Sequence, residues 1–412
     1  MNHLLKLTLL FFWFPLLNTI HAQTNSEKKP LINRIDGTAD TLAITRQDAI
    51  YQRPFIGLGG SKTAVGGYIE GNTNYFAEDG VSEGFSMELR RFNIFLYSSI
   101  SKRIKFLSEL EFEHGTEEIA LETALIDFNL HQAINFRAGI LLPQIGIFNA
   151  NHDSPVWEFV DRPLSSTLII PSTLSEVGFG LHGKFYSGNN TFTYSAYLTN
   201  GLGANIILNE EGKTFIPAGK SPEMFEEDNN GTPMFNGRIA ARNRKIGELG
   251  FSYYGGVYNN FRIEGEEVEE KRNLGLFAID FSTQIQKLDI KGEYVYATIQ
   301  VPEDLGELYG TKQQGFFTDF TYTVKSCKIL DYDNAQLLVS ARIEYVDFNL
   351  SDFSNIDAPI RDEIVAFSPG IGFRPTGATS FRANYRFQRN LDFLGNPAAK
   401  LGGFQVGFAT YF

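Results

Sequence analysis

The last twelve residues, Leu401 to Phe412, constrain the fold more than any other stretch of the chain. Phe404, Val406, Phe408, Thr410 and Phe412 alternate with Gln405, Gly407, Ala409 and Tyr411. A two-residue apolar period is the pattern of a strand with one apolar face. The chain stops on the aromatic residue, with no tail to cover it. In water an open apolar strand invites pairing with other chains. In a bilayer, closing the sheet on itself removes the edge, and the outward face must then be apolar. The expected fold is an all-β transmembrane antiparallel barrel over residues 54–412.

The other end of the chain fits the same reading. Met1 to Ala22 has a weak positive start at Lys6, an apolar run from Leu7 to Leu17, and a small residue, Ala22, before Gln23. That is the make-up of a secretory signal peptide, and the run is too short for a transmembrane helix. Its removal takes away Lys6 and moves the formal charge from −12 to −13. Residues 23–53 are polar and aperiodic and read as a flexible periplasmic segment. Cys327 is the single cysteine, which excludes an intrachain disulfide and a cysteine-based metal or redox site.

Sixteen alternating segments follow. They lie near 64–77, 85–99, 104–114, 119–130, 134–142, 176–186, 191–200 and 235–242 in the first half. In the second half they lie near 247–259, 272–285, 288–299, 312–325, 335–349, 363–374, 379–388 and 401–412. Most have the length that a tilted strand needs to cross a membrane. The 37 Phe and 18 Tyr suit a barrel, which uses aromatics both on its lipid face and in its interfacial girdles.

Connections alternate between short turns, as at 101–103, 131–133 and 286–287, and long links, as at 143–175, 201–234 and 260–271. The stretch from Cys327 to Asn334 is longer than a turn requires. Long links carry acids such as Glu210, Glu211, Glu266 and Glu267, whereas turns carry Lys102, Arg103, Arg244 and Lys245. Acidic loops of this kind stay solvated. The other reading of an acidic rim is that it binds divalent cations, which also bridge lipopolysaccharide.

Strand parity assigns the lumen. In 104–114, Phe106, Leu110 and Phe112 share one face, and Lys105, Glu109, Glu111 and Glu113 share the other. Lipid cannot solvate the second face, so it points inward. The same parity turns Arg137, Arg238 and Arg242 inward, then Asp289, Lys291 and Glu293, then Arg342 and Glu344, and finally Arg382 and Arg386. Arg90 and Arg91 sit on opposite parities, which requires a bulge or an interfacial position. A lumen with both signs of charge predicts a water-filled channel, although cross-barrel pairing would only brace the wall.

The 143–175 link is long, contains four prolines and is rich in apolar residues, features of an ordered functional link. It is the third long-side connection in order. It is expected to fold into the barrel and set the narrowest point, with Asn151, His152, Asp153, Trp157, Glu158, Asp161 and Arg162 as constriction residues. The pair His152–Asp153 reads as structural in a Pro-rich loop, and no metal or cofactor is expected.

These residues resemble the phosphate-selective porin O and P family. The matching positions are Asn151, His152 and Pro155, then Arg162 and Pro163, then Ile170, Pro171, Thr173, Glu176 and Gly178. The strand at 106–114 and the run Leu198-Thr199-Asn200-Gly201 are also similar. Asp153, Ser154 and Leu174 depart from the family pattern. The resemblance implies a sixteen-stranded, homotrimeric porin of the bacterial outer membrane. An apolar last strand ending in Phe, here with Phe404, Val406, Phe408 and Phe412, likewise resembles the insertion signal that the barrel-assembly machinery reads.

The expected function is passive diffusion of small hydrophilic solutes or ions, with anions such as phosphate among the candidates. The alternative is a structural or adhesive surface barrel with a plugged lumen. A hydrolase is disfavoured: after the leader the only histidines are His114, His131, His152 and His182, and no serine motif accompanies them. No glycine loop follows a strand and opens a helix, so nucleotide or nucleic-acid binding is not expected. The partners expected are outer-membrane lipid and lipopolysaccharide.

Overall fold

The computed structural model describes residues 45–57, 62–228, 230–355, 358–392 and 396–412. The expected signal peptide, residues 1–22, and residues 23–44 lie outside the described residues. The wall begins with β1 (Thr63–Glu78), β2 (Phe85–Ser99), β3 (Ile104–Glu113), β4 (Glu118–His131) and β5 (Ile134–Leu141). It continues with β6 (Glu176–Ser187), β7 (Asn190–Thr199), β8 (Met234–Asn243), β9 (Gly247–Val257) and β10 (Asn273–Ile285). It ends with β11 (Leu288–Ile299), β12 (Lys312–Ile329), β13 (Tyr332–Asp347), β14 (Glu363–Thr376), β15 (Thr379–Leu391) and β16 (Ala399–Tyr411). Each strand pairs antiparallel with the next, and β16 returns to β1 from Leu401↔Glu78 to Tyr411↔Tyr68. The sheet is therefore a closed barrel of sixteen strands, and its ladder has no free edge.

The short–long alternation holds around the wall, including the stretch from Cys327 to Asn334. There β12 and β13 run on to a tight turn at Leu330 and Asp331, and two register shifts absorb the extra residues. The two arginines of β2 are also resolved by a bulge. Glu70 faces Arg91 and Gly71 faces Leu89, so Arg90 is the inserted residue. The insertion turns both guanidiniums inward.

Burial follows parity. In β8 the outward Ile239 is 62% exposed and the inward Arg238 is 3% exposed. An apolar outer face with charged inner rows inverts the usual soluble arrangement, and it is stable only where lipid replaces water outside.

At the closing seam the Phe412 ring stacks on Phe92, with centroids 5.6 Å apart and planes at 12°. It also covers Gly67, where an added Cβ would lie 2.4 Å from the ring. Glycine at that point lets the last side chain lie flat on the wall. Phe412→Ala is expected to lower the yield of heat-modifiable barrel in the outer membrane with little effect on the finished channel. Wild-type assembly at high expression would remove the insertion role.

The interior departs from the water-filled expectation. An apolar cluster at the long-link end joins Leu202, Ile206, Ile216 and Met224 of the 200–233 link to Met234, Tyr254, Leu274 and Leu276 of the wall. A second cluster gathers Ile50 and Phe55 against Tyr68, Phe95, Leu107 and Leu125. The expectation of a mobile segment over 23–53 therefore fails for its last part. Residues Arg46–Tyr51 form a 3-10 helix inside the wall, and Ile56–Gly57 pairs with Val65 and Ala64 of β1. Residues 45–57 have no sequence periodicity because they are held by contacts from several strands rather than by one apolar face.

Candidate functional site

The link between β5 and β6 folds into the lumen, as its length and prolines predict. Asn149 braces its base. The Asn149 amide donates to the carbonyls of Pro143 at 2.8 Å and Leu174 at 3.1 Å, and its oxygen accepts the Leu174 N–H at 2.8 Å. Three short helices, Asn149–Asn151, Ser154–Val156 and Leu164–Leu168, carry the chain across the barrel.

An irregular segment in a buried place leaves backbone groups that need partners. Here the inward wall side chains supply them. Glu293 accepts the Ile147 N–H at 2.9 Å, Glu344 accepts the Leu164 N–H at 2.8 Å, and Asn384 accepts the Val160 N–H at 3.1 Å. Arg342 donates to the Asp161 carbonyl at 2.9 Å and Arg374 to the Pro155 carbonyl at 2.8 Å. Arg382 donates to the carbonyls of Ser154 at 2.9 Å and Trp157 at 3.0 Å. Most of the residues predicted to line the pore on β11, β13 and β15 are thus the seat of the link.

The predicted constriction residues are brought together in that seat. The Trp157 indole donates to the Asn151 carbonyl at 2.7 Å and packs against Phe148, centroids 4.8 Å apart. Lys291 lies over the Trp157 ring at 3.9 Å, a cation–π contact. Glu158 pairs with Arg374 at 2.7 Å. Asp161 sits between Arg90 at 3.0 Å and Arg386 at 3.3 Å. Burial alone would raise the Asp161 pKa, but Arg386 and Arg90 together hold it below the usual carboxylate range. Arg162 donates to Thr173 at 3.2 Å.

His152 is buried at 2% exposure, with Nδ1 2.8 Å from the Asn149 carbonyl and Nε2 2.9 Å from Glu122. Burial would lower its pKa, but the Glu122 carboxylate and the further charge of Glu109 raise it to about 9. The imidazolium is thus charged at neutral pH and neutralises part of a buried acidic group.

The remaining predicted lumen residues form two groups. On β3, Glu109 and Glu111 accept from the Asn93 amide at 2.7 and 2.9 Å, and Glu113 pairs with Arg91. Elsewhere they brace the wall. Arg137 makes a bidentate pair with Asp127 at 2.7 Å on both contacts. Arg238 joins Asp280 at 2.6 Å and Glu248 at 3.2 Å, and Arg242 lies 3.7 Å from Glu248. Lys105 stands over the Tyr51 ring at 5.3 Å.

Segment 45–57 occupies the short-turn half of the lumen. Arg53 holds Glu109 at 2.7 Å and Asp153 at 2.6 Å, and its guanidinium lies 4.2 Å above the Phe95 ring. Tyr51 donates to Asp127, Lys184 pairs with Asp48, and Gln47 donates to the Tyr194 carbonyl at 3.0 Å. Outside the segment, toward the short turns, a vestibule of about 440 Å³ is lined by Lys105, Asp127, His131, Arg137, His182 and Lys184.

Arg53, Tyr51, Asp127, Glu122, Asp319 and Arg374 escaped sequence reasoning. Parity would have found Asp127 and Asp319, which stand directly opposite Arg137 and Arg342. No sequence signal marks Arg53.

Gly146 has φ +63°, and a Cβ there would lie 2.2 Å from the Glu293 carboxylate that anchors the link. Gly146→Ala is expected to destabilise the seated link by about 1–3 kcal/mol through overpacking and backbone strain. A lower unfolding midpoint followed by Trp157 emission checks this.

No protein-family model matches the chain. A protein of Aquifex aeolicus (strain VF5), described as uncharacterized, is 28% identical over 368 residues, which is 81% of this chain and 79% of that protein. Among solved structures, Salmonella typhi OmpF in complex with daunomycin aligns at TM-score 0.54 and 10% identity, over 87% of this chain and 100% of that one. The anion-selective porin of Comamonas acidovorans aligns at TM-score 0.52 and 11% identity, over 85% and 99%. OmpT of Vibrio cholerae in its trimer form aligns at TM-score 0.51 and 11% identity, over 85% and 100%. The fold is that of bacterial outer-membrane porins, and the closed barrel with its apolar outer face belongs to the bacterial outer membrane.

Proposed function

We propose that the chain is an outer-membrane porin for small hydrophilic solutes or ions, and that residues 45–57 and the 142–175 link hold it closed. One observation carries this reading: besides the apolar contacts of Ile50 and Phe55, residues 45–57 and the 142–175 link meet the wall through many ion pairs and hydrogen bonds to its charged residues. A polar seat of this kind becomes a hydrated passage when an occupant leaves, whereas an apolar core would not. The roles of the link as constriction and of Arg137, Arg238, Arg342 and Arg382 as lining residues belong to this proposal.

Weak ion selectivity goes with it. Inward Arg137, Arg238, Arg242, Arg342, Arg382 and Arg386 are matched by Glu109, Glu111, Glu113, Asp289, Glu293 and Glu344. A phosphate filter needs converging cations with few carboxylates near them. The motifs shared with phosphate-selective porins favour anions instead, as does the anion-selective neighbour. Reversal potentials in a chloride gradient, repeated with added phosphate, decide between the two. Strong anion selectivity with block of chloride current by micromolar phosphate would replace the weakly selective reading.

A homotrimer is proposed with the same fold, supported by the trimer form of the OmpT neighbour. Lipopolysaccharide and the barrel-assembly machinery are the proposed partners in the membrane. A second reading, a structural or adhesive barrel with a permanent plug, is favoured by the burial of Arg238 and Arg342 to 3% and 1% exposure. Silence in planar bilayers from both the full chain and a chain lacking residues 45–57 would select it.

A further inference from the structure

Glu109, His152 and Asp153 present one donor atom each within 4.8 Å of one another, and all three side chains are buried. The His152 Nδ1 lies 2.8 Å from the Asn149 carbonyl, so this nitrogen donates and Nε2 is aimed at the carboxylates. Orientation of imidazole through a backbone carbonyl on its far nitrogen is the usual support of a metal-ligating histidine. Glu122 stands 2.9 Å from the same Nε2 and offers a fourth donor.

A cation already fills this group. Arg53 reaches Glu109 through Nη1 at 2.7 Å and Asp153 through Nη2 at 2.6 Å and Nε at 2.9 Å. Arg53 is not part of the wall; it is carried on the segment that enters the lumen. Its withdrawal would leave buried carboxylates facing one another, and a small divalent cation satisfies them better than water does.

We propose that Glu109, His152 and Asp153 form a divalent-cation site of mixed imidazole and carboxylate donors, and that Arg53 is its built-in competitor. The donor set suits Zn²⁺ or Co²⁺. Around such an ion neighbouring donors lie roughly 3.3 Å apart, so these side chains must draw in by about 1.5 Å once the guanidinium is gone. The metal takes the place of the Nε2 proton, which passes to solvent. Cation binding and seating of residues 45–57 then exclude one another, a reciprocal coupling between two ligands of one site. This inference stands whether or not the barrel conducts.

The test uses Co²⁺ as probe on the folded full-length barrel in detergent, with heat-modifiable mobility confirming the fold. Arg53→Ala is expected to bind one Co²⁺ per chain on the order of tenfold tighter than the wild type, with a visible absorption band of a low-symmetry site. Arg53→Gln serves the same purpose should the alanine variant fail to fold. Adding His152→Ala to the Arg53 variant should abolish the band. Excess Zn²⁺ on the wild type should open the Arg46–Gln47 bond to trypsin. Equal Co²⁺ affinity with and without Arg53, or a band that survives loss of His152, overturns the proposal.

Discussion

Removing residues 23–57 while keeping residues 1–22 is expected to convert a nearly silent barrel into a conducting one, with a several-fold rise in single-channel conductance. Residues 45–57 fill the space between β1 and β9 at the short-turn half. They reach Glu109 on β3, Asp127 on β4, Tyr194 on β7 and Glu248 on β9. The wall keeps its complete ladder without them, so the barrel should still show its heat-modifiable shift. Unpaired Glu109 and Asp153 would hydrate in the widened lumen and weight the current toward cations. Conductance equal to that of the full chain, in a folded barrel, would show that the segment does not close the passage.

The second large effect is expected at Arg342. It is 1% exposed, pairs with Asp319 at 2.6 and 2.8 Å, caps the Asp161 carbonyl and lies 4.3 Å from the Phe159 ring. Arg342→Ala removes the bidentate partner of the buried Asp319 carboxylate, a loss that costs about 3–5 kcal/mol. Arg342→Met combined with Asp319→Leu should recover most of that loss, because an apolar pair of similar volume needs no ion partner. The chain has two tryptophans, Trp13 and Trp157, so in a barrel made without residues 1–22 Trp157 emission reports the unseating of the link during denaturant unfolding. An Arg342→Ala barrel as stable as the wild type would show that the pair is not a strut.

The wall was legible because lipid outside and charge inside enforce a two-residue period on every strand. Phe381, Arg382, Ala383 and Asn384 already announce their directions. The bulge at Arg90 was legible for the same reason, since two neighbouring arginines cannot both face water without an extra residue. The filled interior was not legible. Parity says that Arg382 points inward, but it cannot say that the carbonyls of Ser154 and Trp157 wait there. Segment 45–57 leaves no period at all, because Tyr51, Arg53 and Phe55 each answer a different strand. From sequence an inward charge therefore reads as a lining group, whereas its partner is an irregular piece of chain.

The link's seat has a consequence for the order of folding. Arg382 lies 228 residues from Ser154 and 312 from Glu70, and Tyr411 binds Asp153 across 258 residues at 2.9 Å. The link is synthesised before β6, yet half of its seat arrives only with β13 to β16. Until then Asp161 has only Arg90 of its two arginine partners, and the carbonyls of Ser154 and Pro155 lack the guanidiniums that bind them, so packing the link early gains little. Contacts of such span carry their chain-closure cost before they return any stabilisation. Stoppering of the lumen and zipping of β16 onto β1 are thereby merged into one late, concerted step, and a barrel that has closed is one that has already loaded its own plug.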